Sequence, residues 1–167
     1  RSGDEVAFRP RPLNFGNLHT HLREAKADVI IACFGMNESF KGPGHLETFK
    51  QNLAGFADTL RTTSYNGSAP PKLVLVSPIA HETIEPMSPD PTAHNQSLAV
   101  YTEAMEAYAA RHAAVRFVDL YRPTKRIMDN PLAENLTFDG IQLTRYGHWV
   151  VSQLMGQALG VSPNLPR

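Results

Sequence analysis

The sequence predicts an α/β layered domain built on a parallel sheet. Three short runs, at 29–34, 72–77 and 115–120, are rich in apolar and β-branched residues, the first without a polar residue, as buried strands of a parallel sheet are. Each is followed by a segment whose apolar residues recur every three or four positions, the period of a helix packed on a sheet. A helix after every strand implies parallel pairing through right-handed crossovers. A chain of 167 residues can bury one real core, and its length argues for one domain over 1–167.

The elements follow in order. Residues 1–7 contain no strand pattern, and Pro10, Pro12, Asn14 and Gly16 mark a loop. Leu18, Leu22 and Ala25 have helical spacing, so a short helix is expected over 18–25. The run Val29 to Phe34 then forms a strand with both faces covered, and Gly35 ends it. Cys33, inside that run, reads as a small buried hydrophobe. Residues Met36, Asn37, Glu38 and Ser39 fall in a loop at the strand's carboxyl end, the edge of an open α/β sheet where ligands bind.

After a turn at 41–44, Leu46, Phe49, Leu53, Phe56, Ala57 and Leu60 trace an amphipathic helix. A second strand starts at Lys72 and is closed by Pro78, which cannot continue a ladder. The proline-rich stretch 79–91, with His81 and Glu82, overhangs the same end of the sheet. Leu98, Tyr101, Met105 and Tyr108 mark the next helix, and Val115 to Leu120 the third strand. A short helix is expected over 123–129 and irregular chain over 131–138. Thr144 is a suitable N-cap for a last helix burying Val150, Val151, Leu154, Met155 and Ala158.

Sixteen basic and sixteen acidic side chains balance to zero formal charge. That removes the electrostatic footprint of a nucleic-acid partner or an anionic membrane surface. Arg9 to Pro12 is the nearest thing to a basic patch and reads as a solvated extended segment. No apolar run approaches the roughly 18 residues of a membrane span. No glycine-rich phosphate loop follows a strand and no His or Cys spacing suggests zinc, so neither cofactor nor metal is expected. His19 and His21 point about 200 degrees apart on a helix and do not chelate together. His45, His94 and His112 read as surface residues near helix ends.

Two stretches carry candidate chemistry. Asn37 follows a buried strand by way of Gly35 and sets an amide donor in a crevice. It either caps the turn or faces an oxyanion, where such a donor is worth about 3–4 kcal/mol in acyl transfer. Asp139 begins a turn just before the last helix, where an acid can orient a base a few residues away. His81 and Glu82 are candidate contacts to substrate; the alternative is a solvated loop.

Taken together, these stretches resemble the SGNH or GDSL-like ester hydrolases. Gly35, Met36, Asn37 and Glu38 look like the family's Gly-x-Asn-Asp block, with glutamate in place of aspartate. Asp139, Gly140, Ile141 and Gln142 look like its Asp-x-x-His block, and Gly3 like its oxyanion-hole glycine. The resemblance implies a flavodoxin-like three-layer α/β/α sandwich with strand order 2-1-3-4-5. In it the 29–34 strand would be the third, and the chain would be the C-terminal portion of a longer domain, its N-terminal strands missing. It further implies Gly3 and Asn37 as the oxyanion hole and Asp139 as the residue orienting the base.

Two departures stand beside these matches. The Gly-Asp-Ser block with the nucleophile is absent, and Ser2 precedes its glycine instead of ending a strand. Gln142 occupies the histidine position, and an amide cannot take a proton from serine at neutral pH. His148, at the start of the last helix, is the alternative base.

The leading reading is a carboxylic ester hydrolase domain acting on a small-molecule or carbohydrate ester, acetyl groups on carbohydrate preferred, and inactive as this chain alone. Its rival is a disarmed SGNH-fold ligand- or carbohydrate-binding module; a doubly wound nucleotide-binding domain is weaker for want of a phosphate loop. The outer edge of the 29–34 strand is expected to pair with another copy of the chain or with a missing N-terminal segment. The compartment is not written in the residues; an extracytoplasmic address is preferred by analogy with the family.

Overall fold

The computed structural model describes residues 3–10, 15–86 and 90–161. The expectations for Ser2, Pro12 and Asn14, and for residues 87–89 of the proline-rich stretch, lie outside the described residues. The elements run α1 (Leu18–Glu24), β1 (Val29–Cys33), α2 (Met36–Ser39), a 3-10 turn (Pro43–His45), α3 (Leu46–Thr62), β2 (Lys72–Val76), α4 (Thr92–Ala110), β3 (Val115–Val118), α5 (Tyr121–Met128) and α6 (Arg145–Leu159). Asn17 caps α1 by accepting from the Thr20 amide at 2.9 Å, and Thr144 caps α6 by accepting from the Gly147 amide at 3.0 Å.

The strands pair in parallel in the order β1-β2-β3. Val29 stands opposite Lys72 and Cys33 opposite Val76 in one ladder; Leu73 faces Val115 and Val76 faces Val118 in the other. Sequential strands lying side by side, each reached through a helix, are what the alternation of periods predicted. On one face, Ile30, Ala32, Leu73 and Leu75 pack under Phe49, Leu53 and Ala57 of α3 and Tyr101 and Met105 of α4. On the other, Val74, Val76 and Val118 pack against Val151 and Leu154 of α6. These are the three layers of an α/β/α sandwich.

Strand β1 departs from expectation. Its burial alternates, with Ile30 and Ala32 inside while Val29 and Ile31 remain 53% and 50% exposed. Cys33 is exposed rather than buried, although its apolar surroundings still push its thiol pKa up. The reason is lateral: α6 reaches β2 and β3, and among the described residues no element lies over the same face of β1. The free edge of β1 carries no partner strand among those residues either. The loop expected after Gly35 is instead the single helical turn α2, and the helix around Leu98 begins earlier, at Thr92.

Candidate active site

The site is built where β1 ends. Gly35 holds φ +104, which a residue with a Cβ rarely adopts, and a Cβ there would come within 3.2 Å of the Pro78 ring. This sharp reversal starts α2 and turns Asn37 toward the segment carrying Gly3. Asn37 Nδ2 donates to the Asp4 carbonyl at 2.9 Å, and its second amide hydrogen remains for a ligand. The Glu38 carboxylate, 6% exposed, accepts from the Gly35 amide at 3.0 Å and from the Val6 amide at 2.8 Å. Lys41 Nζ meets Glu5 Oε2 at 2.6 Å just outside. Gly3 itself takes φ +91.

The second half comes from the turn before α6. An antiparallel bridge joins Thr137 to Leu143, and Gly140 turns between them at φ +96. Asp139 Oδ1 accepts from the amides of Ile141 at 3.0 Å and Gln142 at 2.7 Å, so the carboxylate sets the turn that presents Gln142. Gly3, Asp4, Met36, Asn37, Ile141 and Gln142 line one cleft of about 500 Å³. Three of the residues singled out from sequence are thus brought together, with Asp139 holding the Gln142 backbone. His148 is exposed on α6.

Glu82 has a different part from the one expected. It is 3% exposed. Its carboxylate accepts from the Leu136 amide at 3.0 Å, the Thr137 amide at 2.6 Å and the Thr137 hydroxyl at 2.5 Å. Its own amide donates to the Gly140 carbonyl at 2.9 Å. Both oxygens serve the loop, so in place of a substrate contact Glu82 is the clamp that holds the Asp139 turn. His81 lies against the same turn: a Cβ on Gly140 would fall 2.7 Å from its Nε2.

His81 also belongs to a cluster with no signal in the sequence, because its members lie 13 and 55 residues apart. Ser39 Oγ donates to the Met36 carbonyl at 2.7 Å. Its lone pairs then accept from His94 Nε2 at 2.7 Å, which leaves His94 Nδ1 to accept from His81 Nδ1 at 2.8 Å. Phe40 stacks on His94 with ring centroids 3.8 Å apart. Burial, reinforced by the neighbouring His81, lowers the His94 pKa to about 4 against a weaker opposing bond to Met36. Burial also lowers His81, and Asp139 opposes it. His94, read from sequence as a surface residue, is half-buried. Ser39 is 1% exposed with its hydroxyl already engaged, so it is not a nucleophile in this arrangement.

The profile of the GDSL-like Lipase/Acylhydrolase family matches residues 1–150. The chain belongs to this family. Solved structures described as esterases and a lipase share the fold. An acetylxylan esterase of Geobacillus stearothermophilus, solved as a catalytic mutant, is 15% identical, with a TM-score of 0.64 over 90% of this chain and 71% of that one. A GDSL-like lipase of Bacteroides thetaiotaomicron is 22% identical, with a TM-score of 0.60 over 85% of this chain and 68% of that one. A carbohydrate acetylesterase of Sinorhizobium meliloti is 18% identical, with a TM-score of 0.52 over 92% of this chain and 74% of that one. No curated protein sequence matches significantly. Among the described residues no helix is long and apolar enough to cross a membrane.

Proposed function

We propose that the chain is the oxyanion-hole and acid-loop part of an ester hydrolase that removes acetyl groups from carbohydrate. The observation that carries this reading is the single cleft shared by Gly3, Asn37 and Gln142. The acetyl esters named for two of the structural neighbours support that substrate class. The nucleophilic serine comes from outside the chain, by a strand that pairs with the open edge of β1. Ile31 and Cys33 of β1 line the same cleft as Asn37. The whole enzyme works in an extracytoplasmic compartment.

In this mechanism the serine oxygen bonds to the ester carbonyl carbon. Charge that develops on the carbonyl oxygen is met by the second Asn37 amide hydrogen and the Gly3 N–H. A base outside this chain takes the serine proton and returns it to the sugar oxygen as the bond to that oxygen breaks, so the sugar leaves as the alcohol; water deprotonated by the same base then adds to the acyl-enzyme carbonyl, and acetate and the free serine are released. Asp139 fixes the turn that delivers residue 142. Gln142 can hold the leaving oxygen by a hydrogen bond but cannot carry its proton. His81 packs its Nε2 against Gly140 and its Nδ1 against His94 and lines a neighbouring pocket with Asn95 and Tyr121, so it supports the Asp139 turn from outside the cleft.

Gln142 favours a second reading, in which the same cleft binds a carbohydrate ester without cleaving it. Hydrolysis of p-nitrophenyl acetate by the longest natural form of the protein separates the two, with Gln142→His and Asn37→Ala beside it. Turnover by the natural protein that falls in Asn37→Ala supports the hydrolase. Turnover gained only by Gln142→His makes the natural protein the binding module. If neither exceeds Asn37→Ala, the hydrolase reading fails.

A further inference from the structure

We propose that Glu38 is the positioning residue of the oxyanion hole, setting the distance between its two halves, Gly3 and Asn37. The inference rests on the hydrolase reading above and adds to it the group that makes the geometry.

The two halves come from segments more than thirty residues apart, and nothing local holds them together. The Gly3 segment, 3–10, has no helix or strand of its own, so its place depends on its partners. Three consecutive residues on it meet three residues around α2: the Asp4 carbonyl meets Asn37, the Glu5 carboxylate meets Lys41, and the Val6 amide meets Glu38. The Lys41 tie is solvent-exposed and contributes little. The Asn37 tie uses the functional side chain itself, so it needs an independent support to hold it still. Glu38 is the buried tie of the three. One oxygen takes the Gly35 amide that starts α2, and the other takes the Val6 amide.

A single carboxylate therefore fixes both the turn that aims Asn37 and the segment that carries Gly3. Val6, buried at 4%, anchors the middle of that segment in the core cluster that also holds Leu60 and Tyr65. An amide in place of the carboxylate keeps the shape but sets one NH2 against a backbone N–H, so one of the two bonds is lost and the donors repel. Glutamate is also the residue by which this site departs from the aspartate of the family pattern it resembles, and its added methylene serves the reach to Val6.

The test is made on the longest natural form of the protein. Glu38→Gln is expected to lower kcat for p-nitrophenyl acetate by about 10–100-fold with KM within about threefold, as for a misplaced oxyanion donor. Lys41→Ala, which removes the exposed tie, is expected to stay within about twofold of wild type. In amide spectra Glu38→Gln is expected to move the Gly3 N–H and the Asn37 side-chain NH2 signals together. Equal kcat losses in Lys41→Ala and Glu38→Gln overturn the proposal, as do Gly3 and Asn37 signals that do not move. If Glu38→Gln does not fold, hydrogen exchange in the natural protein decides. Val6 and Gly35 amides exchanging at similar slow rates support the bridge, and a Val6 amide exchanging as freely as that of exposed Ala7 overturns it. A natural protein without turnover sinks the hydrolase reading by itself, while the amide signals still report on Glu38.

Discussion

Gly147→Ala tests how the Asp139 turn is locked to the last helix. Gly147 is buried in the first turn of α6, and a Cβ there would overlap the Leu136 carbonyl oxygen and press to 2.9 Å from the Leu143 side chain. The carbonyl cannot yield freely. It accepts from the Thr144 amide at 2.8 Å and from the Thr144 hydroxyl at 3.2 Å, while the Leu136 amide is held by Glu82. Overpacking of this kind costs about 1–3 kcal/mol, and the loss of one or two of those hydrogen bonds adds about 1–2 kcal/mol. The better helix propensity of alanine returns about 1 kcal/mol. The net is a destabilisation of about 2–3 kcal/mol, read as a fall in unfolding midpoint of about 4–12 °C for a chain of this size. Chemical denaturation followed by far-UV circular dichroism gives the free energy directly. A Gly147→Ala protein as stable as wild type would refute the account, because it would mean that the loop and helix are not in contact there.

Two further outcomes are expected. Glu82→Gln replaces one acceptor of the clamp with a donor facing the Thr137 amide and hydroxyl, and should cost about 2–4 kcal/mol in urea unfolding; a change under about 0.5 kcal/mol would show that the clamp does not bear on the fold. The His94 pKa is lowered in the folded state, so the unfolded chain binds the extra proton between the ordinary histidine value and about 4. Stability from this group is therefore complete above about pH 6.5 and is lost as the pH falls toward 4. With screening at a half-exposed ring it amounts to on the order of 1–2 kcal/mol. His94→Gln should flatten the urea midpoint over this range, and an unchanged slope would remove His94 as its source.

The sequence by itself determined the order and type of the main elements and the two turns that carry chemistry. Those features are local. Six apolar residues before Gly35 make a strand whatever surrounds them, a 3.6 period makes the faces of α3 and α6, and Thr144 needs only its own helix to act as a cap. Gly35 with Asn37, and Asp139 with Gln142, could be recognised for the same reason, since each pair lies within three residues along the chain and the innermost bonds of its turn, Gly35 to Glu38 and Asp139 to Gln142, are local. Burial is not local, and tertiary structure alone decided it. The apolar run of β1 implied cover on both faces, yet whether Val29, Ile31 and Cys33 are covered depends on how far α6 reaches across the sheet. The sequence marked Glu82 as an acid in a polar loop, and only the fold puts the Leu136 and Thr137 donors around it. Ser39, His94 and His81 look unrelated along the chain because their contact is made by α2 and α4 meeting above the sheet. Glu38 looked like a lengthened aspartate until the Gly3 segment was seen folded back onto it. A side chain's type fixes what bonds it can make, but only the packing of distant segments fixes which of them it does make.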